Sequence, residues 1–379
     1  MTNSTSNNPY NNLICIKHID EKHIESYIRK NYKDGICHYC NQKRKVVKLG
    51  RITDYMQLGI DNFYDDAANW MSYNSQEGGY QGTTYSNYDI ITELIETDTW
   101  NITTDIISLI EDKAWADRYE GIGDPADNSV YDWEYFKEII LHKSRFLFFN
   151  DYVSNEYYFQ RNASDILKEI GRYLTELGLV ELLPKRIKIF RSRQHGEKDN
   201  ITELCKIVSP PIKNAIFPNR FSPAGISMMY SGFSKETAIA ETLNLSDRER
   251  NFITTAEFET VRYIYVINFN RLPSLPSIFD TTKIDKYFII AFIKRLVRDF
   301  TKGISKDGME HIEYIPTQVV TEYIRYKFNS RRKNKIEGLI YSSSKNSEGN
   351  AMVNFWDNEE SQKNLKLVNI ERERIDIYA

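Results

Sequence analysis

The residues best suited to chemistry lie between residues 216 and 243, where one short stretch holds an arginine, serines, a tyrosine and a glutamate. Proline and glycine after Arg220 predict a loop, and the apolar run Ile226–Tyr230 is of strand length. Ser234 is placed to cap a helix that carries Glu241 next to apolar positions. A carboxylate beside a buried face is either a paired structural acid or a site acid. This stretch alone does not decide between the two.

Two further stretches carry polar residues at the ends of predicted strands. The run Ile187–Arg193 ends in Arg191 and Arg193, which lie two residues apart. Because side chains alternate along a strand, both arginines are expected on the same face. Downstream, the apolar run that begins at Glu337 ends in three consecutive serines, residues 342–344.

Together these three stretches resemble the RES domain family, which is named for its Arg, Glu and Ser. The matching pieces are the FRSR strand, the block NRFSPAGISMMYSGFSKETAIAE, and the GLIYSSS strand with the later NFW. The resemblance covers roughly the last half of the chain. The Arg of the family falls on Arg191, its Glu on Glu241 and its Ser on Ser343, although Ser342 and Ser344 leave the register of the serine open.

The resemblance implies an activity and a fold. RES proteins are toxins that destroy NAD+ by hydrolysis or phosphorolysis, and some transfer ADP-ribose to a protein. Their fold is similar to that of ADP-ribosyltransferases. We therefore expect a bacterial growth-arresting toxin or antiphage effector with NAD+ as substrate and water, phosphate or a protein as acceptor. The alternative is a non-catalytic, zinc-containing sensor or binding protein.

The chemistry of NAD+ cleavage suggests roles for these residues. Breaking the nicotinamide–ribose bond builds positive charge on the ribose, and a carboxylate such as Glu241 would stabilise that charge. Tyr230 offers a flat face to a ring, and Ser343 or Ser227 offers a hydroxyl to the ribose or the amide. Guanidinium groups bind phosphate oxygens in bidentate fashion. The candidates for the pyrophosphate are Arg191, Arg193 and Arg220.

A second constellation lies near the N-terminus, where C-x2-H and C-x2-C pairs are separated by a spacer of helix length. Three thiolates and an imidazole form a standard tetrahedral zinc set without an open position, so the expected ion is structural. His38 or His23 could replace the histidine of the first pair. The predicted ligands are Cys15, His18, Cys37 and Cys40.

Composition limits the class of protein. The 379 residues carry a formal net charge of −3, so no global basic field recruits nucleic acid, and a nucleic-acid partner is not expected. No apolar run approaches the ~18 residues that span a bilayer. The polar N-terminus lacks the pattern of a signal peptide. These features predict a cytoplasmic protein without a membrane partner.

The period of the apolar residues changes along the chain. From Asp54 to Gly178 it is helical, and after Pro184 strands and helices mix without a regular βαβ pattern, which favours an α+β fold. We predict a flexible tail at 1–12, a zinc-knuckle and mostly α-helical domain at 13–180, and a RES catalytic domain at 181–379.

The first half resembles the HEPN/RES N-terminal domain that larger RES proteins carry. HEPN ribonucleases show an R-x4-6-H motif, which Arg118 and His142 do not form, so RNA cleavage is not predicted. The helical half could be an oligomerisation surface, and an antitoxin or an infection signal could act on the chain. The basic run Arg325–Lys335 is interpreted as a solvated helix end.

Overall fold

The N-terminal part of the chain forms several small sheets and helices, and the C-terminal part forms one large sheet with further helices. The computed structural model describes residues 8–76, 78–118, 129–146, 162–303, 309–330 and 332–375, with the backbone alone at 129–132 and 310. It divides into two compact units, Met1–Asn128 with Leu275–Phe288, and Ser129–Ser274 with Ile289–Ala379. The predicted domain boundary between residues 180 and 181 stays a prediction. The second compact unit begins at Ser129, and the segment Leu275–Phe288 belongs to the first unit.

The first unit combines short strands with four helices in the part of the chain that the structure describes. Its helices are α1 (Lys22–Asn31), α2 (Leu49–Phe63), α3 (Asn87–Leu94) and α4 (Trp100–Leu109). Its strands are β1 (Leu13–Cys15), β2 (Ile19–Asp20), β3 (Lys33–Ile36), β4 (Lys43–Lys48), β5 (Tyr64–Asp66), β6 (Tyr73–Asn74), β7 (Gly79–Tyr80), β8 (Glu96–Thr97) and β9 (Trp115–Asp117).

Helical periodicity predicted the helices of this unit. The small sheets were not part of the predicted, mostly helical domain. Strands β1, β4 and β3 form a three-stranded sheet, and the other strands form two-stranded pairs. The core between the helices contains fully buried Ile24, Ile52, Ile60 and Ile106. Phe279, from the segment 275–288, lies in the same core, and Tyr55 donates a hydrogen bond of 2.7 Å to its backbone carbonyl.

Part of the predicted flexible tail is anchored. Residues 1–7 lie outside the described residues. Pro9–Asn11 form a 3-10 turn that Asn8 caps, and the hydroxyl of Tyr10 donates a hydrogen bond of 2.7 Å to Asp54.

The second unit contains the large sheet and the remaining helices. Its strands are β10 (Val180–Leu183), β11 (Lys188–His195), β12 (Met229–Gly232), β13 (Phe252–Thr260), β14 (Ile264–Asn268), β15 (Ile336–Ser342), β16 (Asn350–Asn354) and β17 (Leu365–Arg374). The helices are α5 (Ser129–Glu138), α6 (Ala163–Glu176), α7 (Leu204–Ile207), α8 (Lys235–Thr242), α9 (Ile284–Thr301, which begins in the first unit), α10 (Glu310–Glu313), α11 (Ile315–Glu322) and α12 (Asn358–Asn364). Two π-helical turns, Ile139–Lys143 and Tyr323–Phe328, follow α5 and α11.

Within the described residues the large sheet has eight strands in the order β10-β14-β15-β16-β12-β11-β13-β17. Strands β14 and β15 run parallel, and the other neighbouring pairs are antiparallel. Mixed strands and helices without βαβ repetition agree with the predicted α+β class. The similarity to the ADP-ribosyltransferase fold stays a prediction. No helix in the described part of the chain is long and apolar enough to cross a bilayer.

Both faces of the sheet are buried at its centre, because successive side chains of a strand point to opposite faces. Leu339, Tyr341 and Val353 lie in one core, together with the apolar faces of α6 and α9. Ile340 and Met352, from the same two strands, lie in the other core. The two cores fix the register of β15 and β16 and therefore the position at which each strand ends.

Candidate active site and metal cluster

Helix α8 holds Glu241 in a fixed place at the end of the sheet. Ser234 caps the helix, because its hydroxyl accepts a hydrogen bond of 3.1 Å from the backbone N–H of Thr237, so the predicted cap is confirmed. Gly232 ends β12 directly under the helix, where a Cβ atom would lie 2.8 Å from the nitrogen of Ala238. Only glycine permits this close approach.

Glu241 and Ser343 form a direct contact. The Ser343 hydroxyl donates to Glu241 Oε1 at 2.5 Å, a length in the range of strong hydrogen bonds to carboxylates. The same hydroxyl oxygen accepts backbone N–H groups from Lys345 at 3.2 Å and Asn346 at 3.1 Å. Ser343 is 6% exposed and Glu241 is half-buried, so this contact is partly screened from water.

Of the three consecutive serines, Ser343 is the one that the structure brings to Glu241. Ser342 is exposed and donates to Asn270 Oδ1 at 2.9 Å. Ser344 is exposed as well. The positions agree with the predicted assignment to Ser343, and its functional role stays a prediction.

Two tyrosines lie in this region, Tyr341, which is buried, and Tyr230, which is half-buried. Burial raises the pKa of Tyr341 well above its usual range, and the charge of Glu241 raises it further, whereas the charge of Arg220 lowers it. Burial likewise raises the pKa of Tyr230 to about 12. The Tyr230 hydroxyl lies 2.9 Å from the Ser222 hydroxyl, which fixes the orientation of its ring.

Arg191 approaches the same region from β11. Its Nη1 donates to the backbone carbonyl of Tyr230 at 2.7 Å. Desolvation lowers the pKa of Arg191 to about 10, and repulsion from Arg193 contributes, so the guanidinium is cationic at neutral pH. This repulsion and the strand register, with Ala256 and Thr254 opposite the two arginines, confirm that both lie on one face. Arg193 is exposed and donates to the carbonyl of Lys206 at 2.7 Å.

Two other predicted binding residues have backbone partners of their own. Arg220 donates to the carbonyls of Asp299 at 3.0 Å and Lys302 at 2.6 Å, so it satisfies carbonyl groups at the C-terminal end of α9. Ser227 is 5% exposed, and its hydroxyl donates to the carbonyl of Pro210 at 2.5 Å. The structure assigns both residues a structural contact, and their predicted roles in NAD+ binding remain predictions.

A polar cavity of about 470 Å³ opens beside the Glu241–Ser343 pair. It lies between the N-terminal turn of α8 and the loop that follows Ser343. None of the predicted site residues is among its lining residues, which are Phe233, Ser234, Glu236, Thr237, Asn346, Glu348, Gly349 and Asn350. Two carboxylates in this lining make it a poor site for a pyrophosphate. We therefore assign the candidate active site from the side-chain contacts and not from the cavity.

The predicted zinc ligands converge in the first unit. The ligand atoms of the four residues all lie within 4.8 Å of one another, and the sulfurs of Cys15 and Cys40 are 3.9 Å apart. A tetrahedral site with Zn–S bonds of about 2.3 Å places sulfurs about 3.8 Å apart. The cluster of Cys15, His18, Cys37 and Cys40 could therefore hold a metal ion. The alternative ligand His38 is exposed, and His23 stacks on Tyr55.

Asp98 completes this cluster, and sequence reasoning missed it. His18 Nδ1 lies 2.7 and 2.8 Å from the two carboxylate oxygens of Asp98. His18 Nε2 is buried without a hydrogen-bond partner among the described residues. A histidine that gives its other N–H to a carboxylate is typical of metal sites, because this bond fixes the tautomer and the ring orientation. Asp98 lies 80 residues from His18, so no local spacing could reveal it.

Comparisons with known proteins identify both halves of the chain. The family model described as RES domain matches residues 199–374, and the one described as HEPN/RES N-terminal domain 1 matches residues 30–154. A search of curated proteins found no match. Glu241 and Ser343 lie inside the RES match, whereas Arg191 precedes it. The chain therefore belongs to the RES domain family and carries the HEPN/RES N-terminal domain 1 before its RES domain.

Proposed function

We propose that this chain is a toxin-like enzyme that cleaves the nicotinamide–ribose bond of NAD+, as a bacterial growth-arresting or antiphage effector. The RES domain supports a toxin-like protein with NAD-related activity. The observation that carries the finer proposal is the contact between Glu241 and Ser343 at 2.5 Å, close enough to Tyr341 for the charge of Glu241 to raise the pKa of that tyrosine. The cationic Arg191 donates to the carbonyl of Tyr230 on the neighbouring strand β12.

Glu241 acts on the ribose in this proposal. When the C–N bond breaks, its electron pair stays with the nicotinamide nitrogen, which becomes neutral, and positive charge develops on the ribose ring. The carboxylate stabilises this charge in a site partly screened from water. Ser343 holds Glu241 Oε1 in place, so little reorganisation is needed as the charge appears. Water or phosphate then bonds to the ribose carbon, and the proton that the acceptor loses passes to solvent.

Arg191 and Tyr230 orient the substrate. The guanidinium of Arg191 has five N–H groups, of which the carbonyl of Tyr230 receives one, and its charge suits the dianionic pyrophosphate. The ring of Tyr230, fixed through the Ser222 hydroxyl, offers an aromatic face for the nicotinamide or the adenine.

The metal cluster has a structural role in this proposal. Three cysteines and one histidine leave no open coordination position, and this set favours zinc. When bound, zinc would join β1 to the turn that connects β3 and β4, and Asp98 would orient His18. The ion takes no part in NAD+ cleavage.

The test is NAD+ consumption by the purified protein, with nicotinamide and the ADP-ribose products followed chromatographically in buffers with and without phosphate. Release that requires phosphate identifies a phosphorylase, and release in both buffers identifies a hydrolase. Glu241→Gln should lower turnover by about 10²–10³-fold, because it removes charge stabilisation of the transition state.

The matched control is Glu236→Gln, which removes an exposed carboxylate from the first turn of the same helix. It should change turnover by less than about twofold. Equal turnover of Glu241→Gln and the wild type would reject the site. Transfer of labelled ADP-ribose to a protein, without free ADP-ribose, would identify an ADP-ribosyltransferase instead.

A further inference from the structure

The net charge of the chain hides a strongly basic segment in the first unit. Residues 29–51 contain eight lysines and arginines and one acid, Asp34, which gives a net charge of +7. The whole chain carries −3, so the remaining residues carry −10. Such a separation of charge within one chain is typical of proteins that bind polyanions. The cations are Arg29, Lys30, Lys33, Lys43, Arg44, Lys45, Lys48 and Arg51.

All eight cations are exposed. They lie at the end of α1, on the hairpin of β3 and β4, and at the start of α2. Lys43 and Lys45 project from one face of β4 about 7 Å apart along the strand, and Arg44 projects from the other face. We call the residues 29–51 the basic hairpin surface.

Few of these charges are neutralised inside the protein. Among the described residues, Arg29 is the one member of the set with a carboxylate oxygen within 4.0 Å, that of Glu25 at 3.7 Å. Lys48 donates to Asn11, and Lys45 lies 4.2 Å from the centroid of the Tyr32 ring. Neighbouring like charges repel one another, so an anion bound across the surface relieves an unfavourable interaction.

The scaffold fixes the positions of these cations. Backbone pairs join Lys33 to Val46 and Ile36 to Lys43, and the turn between the strands contains Cys37 and Cys40 of the metal cluster. Because the strands are ordered before binding, the backbone entropy that a disordered basic segment would lose on binding is already lost on folding.

We propose that the basic hairpin surface binds the phosphate backbone of a single-stranded nucleic acid. The charge density supplies the electrostatic attraction, and the partly exposed ring of Tyr32 lies among the cations, where a base could stack on it. This proposal does not depend on NAD+ cleavage. It also revises the expectation from net charge that no nucleic acid binds, because an average over the chain cancels a local excess.

An anionic membrane is the weaker candidate for the same surface. Membrane-surface binding needs apolar side chains that enter the lipid, and Ile36 is the one large aliphatic residue exposed between residues 29 and 51. A single-stranded nucleic acid can contact the narrow hairpin alone. A bilayer presents a wide anionic plane, which would repel the remaining residues of the chain because they carry a net charge of −10.

The experiment measures fluorescence anisotropy of a labelled 20-nucleotide poly-uridine strand with the full-length protein, titrated at about 50 to 200 mM salt. If about four phosphates are contacted, the affinity should fall with a log–log salt slope near −3. The triple variant Lys43→Glu, Arg44→Glu, Lys45→Glu should bind at least about tenfold more weakly at the lowest salt.

The matched control is Lys198→Glu, Lys294→Glu, Lys366→Glu, which changes the net charge equally at three exposed positions outside the surface. It should keep most of the affinity. Circular dichroism and thermal unfolding of both variants report whether each is folded. Absence of wild-type binding at 50 mM salt, equal losses in both variants, or tighter binding to vesicles of phosphatidylserine than to the strand would each overturn the proposal.

Discussion

At the scale of single residues, the hydroxyl of Ser343 holds the carboxylate of Glu241 in place, and a substitution by alanine removes this hydroxyl alone. Ser343→Ala deletes the hydrogen bond to Oε1 and leaves two backbone N–H groups without their acceptor. We expect NAD+ turnover to fall by about 10–100-fold, because a misplaced carboxylate stabilises the transition state less. The free energy of unfolding should fall by about 1–3 kcal/mol. Steady-state kinetics and chemical denaturation measure the two effects.

Ser342→Ala is the control for this substitution, because Ser342 is exposed and its hydroxyl bonds to Asn270 instead. It should leave turnover within about twofold of the wild type and change stability by less than about 0.5 kcal/mol. If Ser342→Ala were the more damaging of the two substitutions, the assignment of the serine would be wrong.

The same serines show what the sequence could not decide. Residue types and order place an arginine, a glutamate and a serine run in one region, but a shift of one residue exchanges the faces of a strand. The choice of Ser343 depends on where β15 ends, at Ser342, and on the turn in which Ser343 N donates to the carbonyl of Gly349 at 2.8 Å. Both follow from packing on two faces of the sheet and not from local spacing.

At the scale of elements, the metal cluster joins parts of the chain that the sequence treats separately. Its ligands come from β1 and from the turns after β1 and β3, while Asp98 follows β8. Strand β8 pairs with β2, which brings Asp98 next to His18. Strands β2 and β8 are two residues long each, too short for an alternation of apolar and polar residues to show. The sequence could therefore predict the four ligands but not Asp98, which orients His18.

Asp98→Asn tests this support. The amide would keep the shape of the side chain but lose the charge that favours His18 with its Nδ1 protonated and its Nε2 free to bind metal. We expect zinc affinity to fall by about 10–100-fold, measured by competition with a chromophoric chelator. Thermal unfolding at limiting zinc should move to lower temperature.

Glu96→Gln, an exposed acid of β8, is the control for Asp98→Asn and should retain wild-type affinity for zinc. Equal zinc affinity of Asp98→Asn and wild type would remove Asp98 from the metal site. Failure of the wild-type protein to bind zinc would instead reject the zinc proposal itself, so the two ideas can fail separately.

Two long helices with a clear period were predictable, whereas the long strands β13 and β17 were not predicted. The predicted helices near 163–179 and 284–300 correspond to α6 and α9, since each buries a broad apolar face. Strand β17 was missed, because most of its residues are exposed on the edge of the sheet and its sequence, LKLVNIERER, is largely charged. Its partner β13 supplies the pairing that the sequence does not show.

At the scale of the whole molecule, the sequence alone does not predict which segments pack into the same core. Residues 275–288 lie far along the chain, yet Phe279 lies in a core with residues of α2 and α4. Helix α6 precedes the predicted RES domain, yet its buried face belongs to the core on one face of the large sheet. The change from helical to strand periodicity near residue 184 therefore marks a change of structure type within one unit.

Two fragments test where the second unit begins. A fragment of residues 181–379 lacks α6, which buries Ile166, Leu167, Ile170 and Leu174. Burial of such side chains contributes roughly 1.5–3 kcal/mol each, so their joint loss is comparable with the whole stability of a domain, about 5–15 kcal/mol. We expect this fragment to lack a cooperative thermal transition, whereas residues 129–379 should retain one. Both fragments contain the segment 275–288 without the rest of the first unit. Any destabilising effect of its apolar residues is therefore the same in both fragments. Cooperative melting of both fragments at the same temperature would show that α6 is dispensable and that the domain begins near residue 181.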